Sequence, residues 1–211
     1  LKIKRIKPEE SAQPMRPRYT LAHRGKVYIT TQSGHVLRID TASVTIDKDP
    51  LKVGSFPENM TVVGNELYVA NSGNGNDRTV SVVNIENFTE TQKIPTNINP
   101  VEITSDDNGN IYLLTWGDYN LNPATLQKID SKTKAVTTLG TDVGTYMALS
   151  GNKLILMKLD YSNYPDVKTD FSHYDIANNQ IVKESFITDG TPISEANSIS
   201  IDPATKNIYV S

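Results

Sequence analysis

The chain has no cysteine among its 211 residues, which excludes disulfides, thiolate metal sites and cysteine nucleophiles and leaves the redox compartment open. Histidine is scarce: three occur singly, at 23, 35 and 173, without His-x-His, His-Glu-x-x-His or nucleophile-elbow spacing. Satisfied structural roles are expected for all three. No apolar run approaches the roughly 18 residues of a membrane helix. Positive charge is not in excess either. Twenty-one Lys and Arg against 24 Asp and Glu give a net charge of −3, so no broad basic field exists for a nucleic-acid backbone. The one basic stretch, Lys2 to Lys7, alternates with Ile3 and Ile6 as a half-exposed strand would. With 37% apolar and 21% charged residues the chain reads as globular, long enough for one sizeable core or two small ones.

What is present is repetition. A small polar turn followed by apolar-Tyr-apolar recurs as Lys26-Val27-Tyr28-Ile29, Glu66-Leu67-Tyr68-Val69, Asn110-Ile111-Tyr112-Leu113 and Asn207-Ile208-Tyr209-Val210. Lys153-Leu154-Ile155-Leu156 is the same motif with Ile155 in the Tyr place. A second anchor follows: Arg38-Ile39-Asp40, Val83-Asn84, Lys128-Ile129-Asp130 and Tyr174-Asp175. Spacings near 40–45 residues are those of four-stranded propeller blades. Each period divides into four runs rich in Val, Ile, Thr and Tyr, separated by turn residues. In the third these are residues 101–105, 110–115, 125–130 and 135–139. First-hairpin turns are expected at Arg24-Gly25, Gly64-Asn65, Asn108-Gly109 and Gly151-Asn152, where Gly or Asn supplies positive φ. No stretch of ten residues has helical spacing of apolar positions. A β-sandwich is the main rival, but it has no reason to repeat a Tyr-plus-Asp frame.

The fold expected is therefore all-β: a β-propeller of four-stranded antiparallel blades, four complete and partial at both ends, read as an arc of a larger, seven-bladed-type ring. The divisions are 1–15 (outer strand of a preceding blade and linker), blades at 16–56, 57–99, 100–144 and 145–191, and a partial blade at 192–211, all in a single propeller domain. Tyr28, Tyr68, Tyr112 and Tyr209 are expected at equivalent, mostly buried positions.

Blade topology puts the loops after each second strand on one face. Three are long and unlike one another: residues 71–78 (NSGNGNDR), 116–124 (WGDYNLNPA) and 159–168 (LDYSNYPDVK). They hold the only Trp and three of the ten Tyr. Aromatic rings offer stacking area at small entropic cost, while Asn and Asp add directional hydrogen bonds. The candidate ligand-binding residues are Asn71, Asn74, Asn76, Asp77, Arg78, Trp116, Asp118, Tyr119, Asn120, Tyr161 and Tyr164. The plainer role for Trp116 is to cap a blade edge, and for Arg78 to pair with Asp77 or Asp118.

No catalytic residue and no metal ligand is assigned. Residues 71–77 offer Asn and Asp oxygens to calcium but a single carboxylate. Asp106-Asp107-Asn108-Gly109 begins like a calcium loop but lacks its alternating ligands and closing Glu, and a hairpin turn accounts for it. Asp106 with Asp107, or Asp118 with another carboxylate, is the only hint of a glycosidase pair, and the separation is unreadable here. Asn59-Met60-Thr61 and Asn87-Phe88-Thr89 are sequons of the kind that arise by chance.

Tyr68-Val69-Ala70-Asn71, followed by Thr79-Val80-Ser81-Val82-Val83-Asn84, resembles the strand pair of the YVTN or YncE-like β-propellers. Tyr28-Ile29-Thr30-Thr31 and the segment from Ile201-Asp202-Pro203 to Tyr209-Val210-Ser211 fit the same mould, so the resemblance covers nearly the whole chain. More narrowly, the long loops resemble secreted surface lipoprotein propellers associated with TonB-dependent transporters, some of which capture vitamin B12. The resemblance implies non-catalytic capture, outside the cell or on the outer face of the outer membrane, of a small organic ligand or a protein partner. A cobamide is one such ligand and an outer-membrane transporter one such partner; no cofactor is implied, and the chain would be monomeric apart from that partner. Departures from the family are too few blades, no lipid-anchoring Cys and Ile155 in place of Tyr. The alternative is a propeller enzyme, a lyase or lactonase, with His or carboxylates converging on a central channel.

Overall fold

The computed structural model describes residues 15–211 except 48, 119, 184–186, 188, 190, 192 and 203. The basic stretch read as an outer strand and the candidate Tyr119 lie outside the described residues.

Strands form sheets in chain order. In the first sheet, β1 (Pro17–His23), β2 (Lys26–Thr31) and β3 (His35–Asp40) run antiparallel, and two short strands, β4 (Thr45–Ile46) and β5 (Leu51–Lys52), share the outer edge of β3. The outer strand is thus broken in two, around Pro50, which has no N–H for a ladder. The second sheet is β6 (Pro57–Val63), β7 (Glu66–Asn71), β8 (Thr79–Asn84) and β9 (Thr89–Pro95). The third is β10 (Pro100–Ser105), β11 (Asn110–Thr115), β12 (Thr125–Asp130) and β13 (Val136–Thr141). The fourth is β14 (Tyr146–Ser150), β15 (Lys153–Asp160), β16 (Lys168–Asp175) and β17 (Gln180–Val182), followed by a hairpin of β18 (Ile199–Ile201) and β19 (Ile208–Val210). Each sheet is a meander completed before the next begins, whereas a Greek-key sandwich would send strands across to an opposing sheet. The architecture is all-β and blade-like. The chain divides into two compact units, Leu1–Ile103 and Thr104–Ser211.

Turn chemistry accounts for both repeated anchors. The first hairpins turn at Arg24-Gly25, Gly64-Asn65, residues 106–109 and Gly151-Asn152, with Arg24 and Gly25 at φ 43° and 73°. At each second anchor a side-chain oxygen accepts two backbone N–H groups from the turn that follows. Asp40 receives those of Ala42 and Ser43, Asn84 those of Glu86 and Asn87, Asp130 those of Lys132 and Thr133, and Asp175 those of Ala177 and Asn178. Asp202 does the same for Ala204 and Thr205. The Lys26 ammonium, with these N–H donors, holds Asp40 far below the ordinary carboxylate range; turn hydrogen bonds lower Asp130, Asp175 and Asp202.

The repeated Tyr is a packing element. Tyr28, Tyr68 and Tyr112 are at most 1% exposed. Tyr28 enters a cluster with Met60, Leu67, Val69 and Phe88 of the next sheet, and Tyr112 enters one with Leu154, Leu156 and Tyr174 of the next. Their phenols surface at the hairpin edge, where Tyr68 donates to Glu66 at 2.5 Å and Tyr112 to Asp106 at 3.2 Å. Within each unit, then, successive sheets stack face to face, which is why β7 and β11 are buried on both faces. Tyr209 is a correction to the sequence reading. It is 55% exposed: β18 and β19 form a two-stranded hairpin that pairs with no third strand among the described residues.

Candidate functional site

Pro17, Pro57 and Pro100 open β1, β6 and β10, the position in a strand where a missing N–H costs least. Behind the first two the pairing register slips by one residue: Pro17 pairs with Thr31 but Thr20 with Ile29, and Pro57 with Asn71 but Met60 with Val69. Such bulges re-aim side chains. The residues inside them, Arg18 with Tyr19 and Glu58 with Asn59, meet Glu102 of β10 in one polar network.

Arg18 donates to Glu58 Oε2 through Nε (2.9 Å) and Nη2 (2.6 Å), and Ser72 Oγ donates to Glu58 Oε1 (3.2 Å). Tyr19 OH donates to Glu102 Oε1 (3.1 Å) and Asn59 Nδ2 to Glu102 Oε2 (2.8 Å). Both carboxylates are buried. Burial, with the nearby Glu58 charge, pushes Glu102 above the ordinary glutamate range against the opposing bonds from Asn59 and Tyr19. Burial and Glu102 push the Tyr19 phenol up as well. Sequence reading missed this network. Its signal was available: a Pro repeated at 40- and 43-residue spacing, each followed within two residues by a charged side chain in a β-rich run.

The loop after β7 adjoins the network through Ser72, whose single hydroxyl proton is shared between Glu58 Oε1 and Phe56 O. Asn71 is fully buried, its Nδ2 donating to Thr79 Oγ1 and Ser81 Oγ, and its amide lies where a Cβ on Gly54 would sit. It anchors the loop root and does not face solvent. Asn74 and Asn76 are exposed turn residues; Asn74 takes φ 53°, and its N–H donates to Ser72 Oγ. The Asp77 carboxylate accepts the N–H groups of Ser55 and Arg78 and the Thr79 hydroxyl. Arg78 is exposed.

In the second unit the corresponding loop, after β11, forms part of a cleft of about 710 Å³. Trp116 stands at its base. Its Nε1 donates to Thr145 O at 2.8 Å, and its ring meets Tyr146 edge to face at 5.9 Å. The loop is shaped by Gly117, at φ +71°, where a Cβ would fall 2.1 Å from Asn122 O. Asp118 braces it by accepting the N–H groups of Asn120 and Asn122 and the Asn122 side-chain amide. Those bonds, chiefly from Asn122, lower the Asp118 carboxyl to about 2. Of the candidate residues, Trp116, Asn120 and Tyr161 share the cleft. Asp118 supports its wall from behind, and Tyr164, 78% exposed, is not among the lining residues. Asp142, Thr145, Tyr146 and Lys158 also line it, which the sequence reading did not anticipate.

The two histidines of the first unit lie at opposite ends of one sheet. His23 ends β1 at the Lys26 end of the first sheet, and His35 opens β3 at the opposite end, beside Ser33. His173 belongs to β16 in the other unit. His23 corrects the expectation of a satisfied role: its Nε2 is buried without a partner among the described residues, and burial together with Arg24 lowers its pKa. Among the described residues no three His, Asp or Glu gather as a metal site.

No protein-family model matches the chain, and no curated protein does. Among solved structures the chain is similar to Kuenenia stuttgartiensis hydrazine synthase, with a TM-score of 0.64 and 22% identity over 84% of this chain and 48% of that one. It is also similar to a functionally unknown protein from Desulfotomaculum acetoxidans, with a TM-score of 0.52 and 16% identity over 88% of this chain and 57% of that one. The chain thus spans about half the length of these proteins, and at such identities the likeness is one of fold alone.

Proposed function

We propose that the repeated sheets are β-propeller blades and that the protein is a non-catalytic binding module, secreted or on the cell surface, which captures a small organic ligand or a protein partner. The blade reading is supported by the 40–45-residue period and by the face-to-face stacking of consecutive meanders within each unit. The binding reading is carried by one observation: the Trp116 cleft gathers three aromatic side chains from separate elements around an open volume of ligand size. Extracellular placement, a cobamide as ligand and an outer-membrane transporter as partner rest on the resemblance to surface propellers. The alternative, a propeller enzyme, would draw on Glu58 and Glu102, but each of their oxygens already accepts a bond from a protein donor. The test is calorimetric titration with cyanocobalamin and then with glycans, against the protein, Trp116→Ala and Tyr161→Ala. Loss of a central aromatic anchor should weaken binding roughly thirtyfold. Binding unchanged in both variants would place the site elsewhere.

A further inference from the structure

The Trp116 cleft has a neighbour. A second cleft, of about 760 Å³, lies at the same end of the fourth sheet, and Asp142 and Lys158 line both. Its wall is apolar, with Phe171, Ile181 and Ile193, while Lys158, Lys168 and Lys183 stand at its rim against Asp142 and Asp170. Among the described lining residues three lysines face two aspartates, on a chain whose net charge is −3. Lys158 and Asp142 approach only to 3.9 Å, beyond a hydrogen bond, and Asp142 is largely exposed. Among the described residues Lys168 and Lys183 make no ion pair and are exposed, although Lys168 is the register partner of Asp160, whose carboxyl is lowered by Ser162 and then by Lys158 and Lys168.

The two clefts divide the work of recognition. In the first, the one indole N–H is committed to Thr145 O, so Trp116 presents ring surface and no donor. A charged head on a ligand stacked there is recognised by other side chains: Lys158, which lines both clefts, and beyond it Lys168 and Lys183 of the second. We infer that the ligand is an elongated organic anion, its ring held in the Trp116 cleft and its anionic head among Lys158, Lys168 and Lys183. A compact neutral ring would use only half of this surface. The inference rests on the Trp116 cleft being the binding site, and the experiment separates the two claims.

The probes are 6-(2-naphthyloxy)hexanoate and its uncharged amide, titrated calorimetrically at low salt. The carboxylate should bind about tenfold more tightly than the amide, the scale of one hydrogen bond to a charged group. The double variant Lys168→Ala/Lys183→Ala, at two exposed positions, should remove most of the carboxylate's advantage, leaving only the share of Lys158, and leave the amide unchanged. Trp116→Ala should weaken both. Equal affinity for the two probes, or a carboxylate preference undiminished in the double variant, overturns the inference while Trp116-dependent amide binding keeps the cleft as the site. Absence of Trp116-dependent binding by either probe overturns both.

Discussion

One end of the repeat is built in two ways. Counting from the equivalent Tyr68 and Tyr112, Ser72 in the first unit stands where Trp116 stands in the second, and each is followed by a glycine of positive φ, Gly73 at +58° and Gly117 at +71°. The small Ser72 lets the adjoining inner strand carry charge, and Glu58, Arg18, Tyr19, Asn59 and Glu102 spend their polar groups on one another. The large Trp116 reaches the start of β14, where Gly144 and Thr145 replace the proline-led charged pair, and a cleft lies beside it. The scaffold is common to both units. What separates a self-satisfied end from an open one is the residue after the second strand and the pair that opens the next first strand.

The largest effect should come from the shared scaffold. Tyr28→Ala and Tyr112→Ala each remove a fully buried ring and should cost about 3–5 kcal/mol, read from urea midpoints. Similar losses would show one packing rule in both units, and a large inequality would break the comparison.

Next comes the polar network. Glu102→Leu strands the Tyr19 hydroxyl and the Asn59 amide, and should cost about 1–3 kcal/mol. Glu102→Gln should cost less, since an amide can accept from Asn59 and donate to Tyr19. Because burial raises Glu102 in the folded state, that state holds its proton more tightly than the unfolded chain. Its contribution is therefore fully present below the ordinary glutamate value and is lost as pH rises through the raised one. The stability of the wild type relative to Glu102→Gln should accordingly be greatest near pH 4 and fall toward pH 8. The lowered turn aspartates Asp40, Asp118, Asp130, Asp175 and Asp202 run the opposite way, losing their contribution as pH falls, but they are common to both proteins and cancel. A flat difference would mean that Glu102 is not held as described.

Gly73→Ala and Gly117→Ala should each cost more than about 1 kcal/mol, since positive φ is compounded by a Cβ that meets Asp77 N at 2.2 Å or Asn122 O at 2.1 Å. Gly75→Ala, with positive φ but open space, is the milder control. The smallest effect expected is that of Trp116→Phe, which loses the bond to Thr145 O but keeps a ring, at about 0.5–1.5 kcal/mol in thermal or urea unfolding.

The blade-like sheets were legible in the sequence because turns and cores repeat by local rules. An Asp that caps its own turn and a Tyr buried on alternate positions need no distant partner to be recognised. Tyr209 has the motif but is exposed, because among the described residues its hairpin pairs with no further strand. The loop after β11 could be singled out because its aromatic and Asn content is itself local. The inner-strand network was not read, because Arg18, Glu58 and Glu102 are 40 or more residues apart: the repeated Pro marks where each lies, but only the stacking of sheets and two bulges show that they meet. Asn71 was misplaced for a related reason: at the last position of a strand, one step separates a buried anchor from an exposed loop residue.

The central claim is that binding belongs to the open aromatic end and not to the self-satisfied polar one. The direct measurement is the calorimetric affinity of 6-(2-naphthyloxy)hexanamide for the wild type, Trp116→Ala and Glu102→Gln under one condition. The account predicts a loss of roughly thirtyfold in Trp116→Ala and an affinity within about twofold of wild type in Glu102→Gln. Binding that survives Trp116→Ala but collapses in Glu102→Gln would contradict it.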